Sequence, residues 1–366
     1  MRVLTVAGTR PEIVKLSRTI ARFDQLFEHR WIHTGQNWSR NLRDVFLEEL
    51  GVREPDAQGS TGDGSPSRQV GQMMAFVDSF MDDWTPDAFV VLGDTNSALT
   101  AYVARRRKVP VFHVEAGNRC FDTRTPEELN RKIIDHVSDV NMPYTEHGRH
   151  NLLREGVRPD RVFVVGSPYR EVIEQHRTDI LKRACARRLG FSEGRFLLAS
   201  LHREENVDDT ARRRILLSAI SSAGHDLGCD VVVMVHPRTR RAIELNDDEV
   251  PMKLMDSLGM IDFLSLALSA RCVISDSGSL TEEASILGFP AVTLRRSHER
   301  PEGMDVGAIA MSSPQSLTDA VRRTITMRSA LRPQVDAYAS TDVSWRISNI
   351  VASYTSQVAD DYRAIT

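Results

Sequence analysis

Between residues 111 and 131 an apolar run, Val111, Phe112 and Val114, passes directly into Glu115, Arg119, Asp122, Arg124, Glu127, Glu128 and Arg131. Fixed carboxylates at the end of a buried strand suit proton transfer, because a held acid can take or give a proton at a substrate atom. A solvated loop of ion pairs has the same composition, and for Asp122, Arg124 and Glu128 that plainer reading stands beside the functional one. Similar residues recur after other apolar runs. "GTRPEIVK" supplies Arg10, Glu12 and Lys15, "VVLGD" ends in Asp94, and "FLLASLHREEN" ends in His202 and Arg203. "VVVMVHPRTR" ends in His236 and Arg238, and "CVISDSGS" in Asp276, Ser277, Gly278 and Ser279. One such acid or histidine by itself reads as a helix cap. Repetition at strand after strand points instead to a shared ligand cleft, since open α/β sheets bind ligands beyond the carboxyl ends of their strands.

The turn "SDSGSLTEE" adds a second kind of chemistry. Small residues joining a strand to a helix leave backbone N–H groups at the helix start, where the helix dipole favours a phosphate. Glu283 follows within that helix and could hold a ribose diol. Arg10, Lys15, Arg203, Arg238 and Arg300 are the candidate cations for a diphosphate.

Other chemistries lack their residues. No GxGxxG follows the first strand and no GxxxxGK[ST] occurs, so neither NAD nor a P-loop nucleotide is expected. His147 and His150 stand at i, i+3 without an evident third ligand, so no metal is expected, nor any other cofactor. Cys120, Cys185, Cys229 and Cys272 are scattered with no CxxC pair, which fits a reducing compartment. A net charge of −3 over 366 residues implies neither nucleic acid nor a membrane surface as partner. The N-terminal apolar run is too short for a signal peptide, and no apolar stretch spans a bilayer, so a cytoplasmic location is expected.

What must position these residues is a pair of parallel sheets. Short β-branched runs alternate with segments of helical period: strands at "RVLTVAG", "RWIHTG", "FVVLGD", "VFHVEA", "VNMPY" and "VFVVGS", then at "FLLASLH", "VVVMVH", "CVISDS" and "AVTLR". A helical, basic stretch at 170–190 separates two doubly wound halves. The expected division is 1–170 and 171–345, with a long amphipathic helix at 346–366 that could brace the halves.

The motifs "GTRPEIVKLS", "GDTNS", "HVEAGNRCFD", "PEELNRKIIDHVSD", "SLHREENVD", "SDSGSLTEEASILGFP" and "HERPEGMD" occur in this order. Together they resemble the non-hydrolysing UDP-N-acetylglucosamine 2-epimerase family over residues 1 to about 350, and "GQNWSRNLRDVF", "GNRCFD" and "NMPYTEH" look most like its UDP-N-acetyl-L-fucosamine branch, features that antibiotic-pathway sugar epimerases could share. The resemblance implies an α/β, GT-B-like fold: two Rossmann-type domains facing a cleft, with the C-terminal helix returning to the first domain. It implies a cytoplasmic homodimer acting on a UDP-sugar without cofactor. The implied reaction expels UDP from C1, removes the C2 proton to give a 2-acetamidoglucal, and re-adds both with C2 inverted.

By motif match Asp94, Glu115 and Glu127 are the carboxylates near the sugar, without assignment to a face of C2. His202 resembles the histidine serving the leaving phosphate, and Arg10 and Lys15 belong near sugar or diphosphate. Ser277, Gly278, Ser279 and Glu283 would hold UDP, supported by Arg203, His236 and Arg300. Arg119, Arg124 and Arg131 are expected to orient Glu115 and Glu127. Where wider family members carry a QHxxM-like stretch that binds an activating UDP-sugar, this chain has "GQNWS" at 35–39, so weak or absent activation is expected. A hydrolysing epimerase releasing the free sugar, a GT-B glycosyltransferase and a non-catalytic UDP-sugar sensor are the alternatives.

Overall fold

The computed structural model describes residues 1–36, 46–62, 64–201, 203–235, 252–331 and 333–364. The chain forms two compact units, Met1–Glu174 with Ala337–Thr366, and Gln175–Asp336.

Unit 1 is built on strands β1 (Arg2–Ala7), β2 (Glu28–His33), β3 (Ala57–Gln58), β4 (Ala88–Leu92), β5 (Val111–Val114) and β6 (Val140–Met142). They lie in the order β3-β2-β1-β4-β5-β6, and every pairing is parallel. The near-continuous apolar runs of β1 and β4 follow from this, because a parallel sheet wrapped by helices buries both faces. Leu4, Val6, Phe89 and Val91 pack in one core cluster with Val77, Met81 and Ile134 from the covering helices. This is the strand order of dinucleotide-binding sheets, in which winding reverses between the first and fourth strands and opens a crevice there.

Unit 2 repeats the scheme with β7 (Phe196–Leu201), β8 (Asp230–Val235), β9 (Lys253–Asp256), β10 (Cys272–Ser275), β11 (Ala291–Thr293) and β12 (Ala310–Met311). Its parallel order β12-β11-β10-β7-β8-β9, read from β9, is the same sequence of steps, with the reversal between β7 and β10. Successive residues of β7 face opposite cores, Leu197, Ala199 and Leu201 one and Phe196 and Leu198 the other.

The helices that matter below are α1 (Arg10–Leu26), α2 (Pro66–Asp83), α3 (Pro126–Val137), α4 (Glu146–Arg154), α5 (Thr210–Leu227), α6 (Leu280–Leu287) and α7 (Val343–Ala364). The terminal helix α7 packs along α1 within unit 1. It is fastened there by Ser344, whose amide and hydroxyl both donate to Glu171, and by ion pairing of Arg161 with Asp361 at 2.8 Å. No described helix is long and apolar enough to cross a membrane.

Several elements depart from the sequence reading. "VFVVGS" forms only an isolated bridge, Asn141 with Val162, rather than a strand. Gly166 turns the chain there at φ +88°, and the Ser167 amide donates to Ala337 of the returning segment. The edge strands β3, β9 and β12 escaped notice because they are two to four residues long and largely half-buried or exposed, so they carry no alternation. Residues 37–45 lie outside the described residues, and 46–50, which follow them, are helical.

Candidate active site

In unit 1 the polar residues gather at the carboxyl ends of β1, β4 and β5, three adjacent strands spanning the winding reversal. After β1 the turn Gly8–Thr9 leads into α1, where Pro11 falls in the first turn and suits a helix start. Lys15, one turn in, reaches the strand end opposite: its Nζ lies 2.6 Å from Glu115 Oε2, both side chains under a tenth exposed. The Tyr144 ring lies beneath the same ammonium at 5.6 Å. Glu115 adopts φ +68°, a conformation a side chain occupies only when its surroundings enforce it. Its amide donates to the Met142 carbonyl on β6, and Asn118 Nδ2 approaches its other oxygen at 3.5 Å. A buried ion pair adds little net stability, since desolvation offsets attraction. Retaining one in a strained strand end points to chemistry.

Asp94 follows Gly93 at the end of β4. Arg131 from α3 binds its carboxylate at 2.6 Å, and Asn130 Nδ2 donates to its carbonyl at 2.9 Å. The Gly93 carbonyl faces His113 Nε2 at 2.8 Å, and the other ring nitrogen of His113 lies 2.8 Å from buried Asp135. Burial alone would raise the Asp135 carboxyl, but His113 and Arg119 outweigh it and hold it below the usual range. Glu127 stands half-buried in the first turn of α3 and makes no hydrogen bond or ion pair among the described residues. Arg10 stacks over Phe46 at 5.2 Å without a carboxylate partner among the described residues, and burial lowers its pKa.

The arginines of "GNRCFDTRTPEELNRK" do other work than the sequence suggested. Arg119 pairs with Asp135 at 2.7 Å and bidentately with Glu155, exposed Arg124 pairs with half-buried Asp122, and Arg131 joins Asp94 and Glu128. None of these pairs involves Glu115 or Glu127; the cation found on Glu115 is Lys15. The surface reading fits Asp122 and Arg124 but not Glu128, which is 2% exposed and accepts from the Cys120 and Phe121 amides, fixing the loop. Sequence reasoning assigns Asn130 no site role and places Arg131 with Glu115 and Glu127, whereas both residues hold Asp94. The available signal was their place, with Ile134 and Asp135, on one buried stripe of α3.

In unit 2 the ends of β7 and β10 flank the corresponding reversal. Asp276, fully buried, accepts from the Arg203 amide at 3.1 Å and Asn206 Nδ2 at 3.0 Å, tying the two strand ends together. Ser277 and Ser279 hydroxyls meet at 2.9 Å, and Ser279 stands at the start of α6. Arg300 donates to the Gly278 carbonyl at 3.0 Å and pairs with Glu282 at 3.1 Å, both side chains almost wholly buried. A Cβ on Gly278 would lie 2.7 Å from Glu299 Oε1, so the Glu299 carboxylate packs close against this turn. Glu283 is buried in the first turn of α6. His202, His236 and Arg238 lie outside the described residues.

A family profile described as UDP-N-acetylglucosamine 2-epimerase matches residues 21–352. A UDP-N-acetylglucosamine 2-epimerase of Methanocaldococcus jannaschii is 36% identical over 84% of this chain and 87% of its own length. A UDP-2,3-diacetamido-2,3-dideoxy-D-glucuronate 2-epimerase of Pseudomonas aeruginosa is 33% identical, with 84% and 87% covered. The crystal structure of M. jannaschii UDP-GlcNAc 2-epimerase in complex with UDP-GlcNAc and UDP superposes with a TM-score of 0.89 at 32% identity, covering 96% of this chain and 100% of that one. Fold, motif order and sequence agree: the chain belongs to the UDP-N-acetylglucosamine 2-epimerase family.

Proposed function

We propose that the chain inverts C2 of a UDP-N-acetylhexosamine by eliminating UDP and adding it back. The C1–O bond breaks with its electron pair leaving on UDP, and oxocarbenium character at C1 makes the C2 proton removable. A base takes that proton, leaving a C1=C2 double bond. A proton then returns to the opposite face of C2 while a UDP oxygen re-attacks C1, so atoms balance without a redox partner.

Such a route needs acid–base groups near one ring carbon, cations for the departing diphosphate and shelter from water. The observation that carries the reading is the edge of unit 1, where Asp94 and Glu115 end adjacent strands and each is held at 2.6 Å by a cation. Asp94, Glu115 and Glu127 act on the sugar in this reading, Arg10 and Lys15 attract it or its diphosphate, and His202 serves the leaving phosphate. Ser277, Gly278, Ser279 and Glu283 hold UDP, with Arg203, His236 and Arg300 in support. The enzyme works as a cytoplasmic homodimer, a state that the mass in solution checks.

The test is incubation in heavy water with UDP-N-acetylglucosamine, its 6-deoxy-L-talo/L-fuco counterparts and the diacetamido-glucuronate nucleotide, read by NMR. One substrate should give its C2 epimer with deuterium at C2. Free sugar beside UDP selects the hydrolysing alternative, and UDP binding without any C2 exchange overturns the epimerase reading.

A further inference from the structure

We propose that Glu12 is a positioning residue for the epimerisation, holding the Asp94 turn against the β1–α1 turn that carries Arg10 and Lys15. The inference rests on the reading of Asp94 as an acid at the sugar.

Glu12 is 1% exposed. Its Oε2 accepts from the Gly8 amide at 3.0 Å and Thr9 Oγ1 at 2.8 Å. Those two bonds resemble a capping box, in which a third-position glutamate reaches back over its own helix start. The third bond has no such explanation. Oε1 accepts from Thr95 Oγ1 at 2.8 Å, a residue 83 positions away and next to Asp94. It therefore crosses the winding reversal, from the β1 side to the β4 side.

The surroundings make this crossing exact in geometry. A Cβ on Gly8 would fall 2.0 Å from Ser97 Oγ and 2.1 Å from Thr34 Oγ1, so the first turn sits flush on the segment that follows Asp94. Ser97 and Thr34 hydroxyls meet at 2.7 Å, and Gln36 Oε1 takes both the Ser97 amide and hydroxyl. On its other flank the Asp94 peptide is held by Asn130 and, through Gly93, by His113. Glu12 and Thr95 complete the grip. Burial pushes the Glu12 carboxyl up to about 7 despite its donors. An exposed cap would serve the helix without that desolvation, so the cost is accounted for by the link to Thr95. Misplacing a reacting group by about 1 Å can cost roughly a hundredfold in rate, which sets the effect to look for.

The experiment compares Thr95→Val, Thr95→Ser, Glu12→Gln, the Glu12→Gln/Thr95→Val double variant and Asp94→Asn in the full chain, with UDP-N-acetylglucosamine as probe. Thr95→Val should lower kcat about ten- to hundredfold with KM little changed and melting near wild type. Thr95→Ser, which keeps the hydroxyl, should recover most of that loss. Since the two residues share one bond, the double variant should lose clearly less than the two single losses combined. A Thr95→Val enzyme at wild-type kcat while Asp94→Asn is inactive overturns the clamp alone. Fully additive losses, or Thr95→Ser as slow as Thr95→Val, overturn it as well. Normal turnover by Asp94→Asn overturns both the clamp and the role of Asp94.

Discussion

The two units solve one geometric problem twice and then part company chemically. Each has six parallel strands in the same order, and each ties its reversal point with a buried carboxylate: Glu12 to Thr95 in unit 1, Asp276 to Arg203 and Asn206 in unit 2. Beyond that tie, unit 1 ends its strands in acids paired with Lys15 and Arg131, whereas unit 2 ends β10 in "DSGS" and buries its Arg300–Glu282 pair beneath the turn. In the proposed reading the first edge serves proton transfer and the second presents backbone donors at a helix start. Topology fixes where a ligand can bind, and the residues at the strand ends decide what happens to it.

That contrast can be broken by substitution. Asp94→Asn, Glu115→Gln and Glu127→Gln should each reduce kcat by roughly 10²–10⁴ while UDP affinity, measured calorimetrically, stays near wild type. Near-normal turnover in all three removes the chemical role of unit 1. Arg300→Ala removes a cation from the buried Glu282 carboxylate and should cost roughly 3–5 kcal/mol by denaturant unfolding, much of it regained by Arg300→Met with Glu282→Leu. In unit 2, Glu283→Gln should weaken UDP binding about tenfold, the size of a lost charge-assisted hydrogen bond, with kcat less affected. A larger fall in kcat than in affinity would blur the division of labour between the units.

Smaller effects sharpen the picture within unit 1. Asp135 is held below the ordinary 3.8, so its contribution to stability is present above that pH and is lost as pH falls through the folded value. Glu12 is raised from 4.5 to about 7, so the folded state binds the extra proton and stability declines as pH rises across that window. Asp135→Asn should flatten the acid limb of a stability–pH curve, and Glu12→Gln the slope between those two values. Initial rates should follow a hyperbola in UDP-N-acetylhexosamine, the expectation set by "GQNWS" at 35–39 and by the Gln36 side-chain carbonyl being engaged by Ser97. A sigmoid would restore activation.

Much of this was legible beforehand. The consecutive apolar residues of β1, β4, β7 and β10 announced buried parallel strands, and the polar residue after each run stands at the carboxyl edge of its sheet. The runs failed where apolar residues serve other contacts: in "VFVVGS" Val162 packs with Ala116 and Leu152 and Phe163 lies against Tyr354 of the terminal helix, while the backbone bonds to Asn141 and Pro143 stop short of a strand. Charge partners were read by nearness in sequence, which is why Arg119 and Arg131 were assigned to Glu115 and Glu127. Arg119 instead turns inward to Asp135, and the Glu115 cation comes from α1.

The strand runs, their alternation with helices and the acids and small residues that close them are set locally, because those patterns arise within a few residues along the chain. Which side chains meet is settled by the fold: Lys15 with Glu115 across 100 residues, Glu12 with Thr95 across 83. Strand order and packing bring such partners within 3 Å, and neither leaves a mark in local spacing.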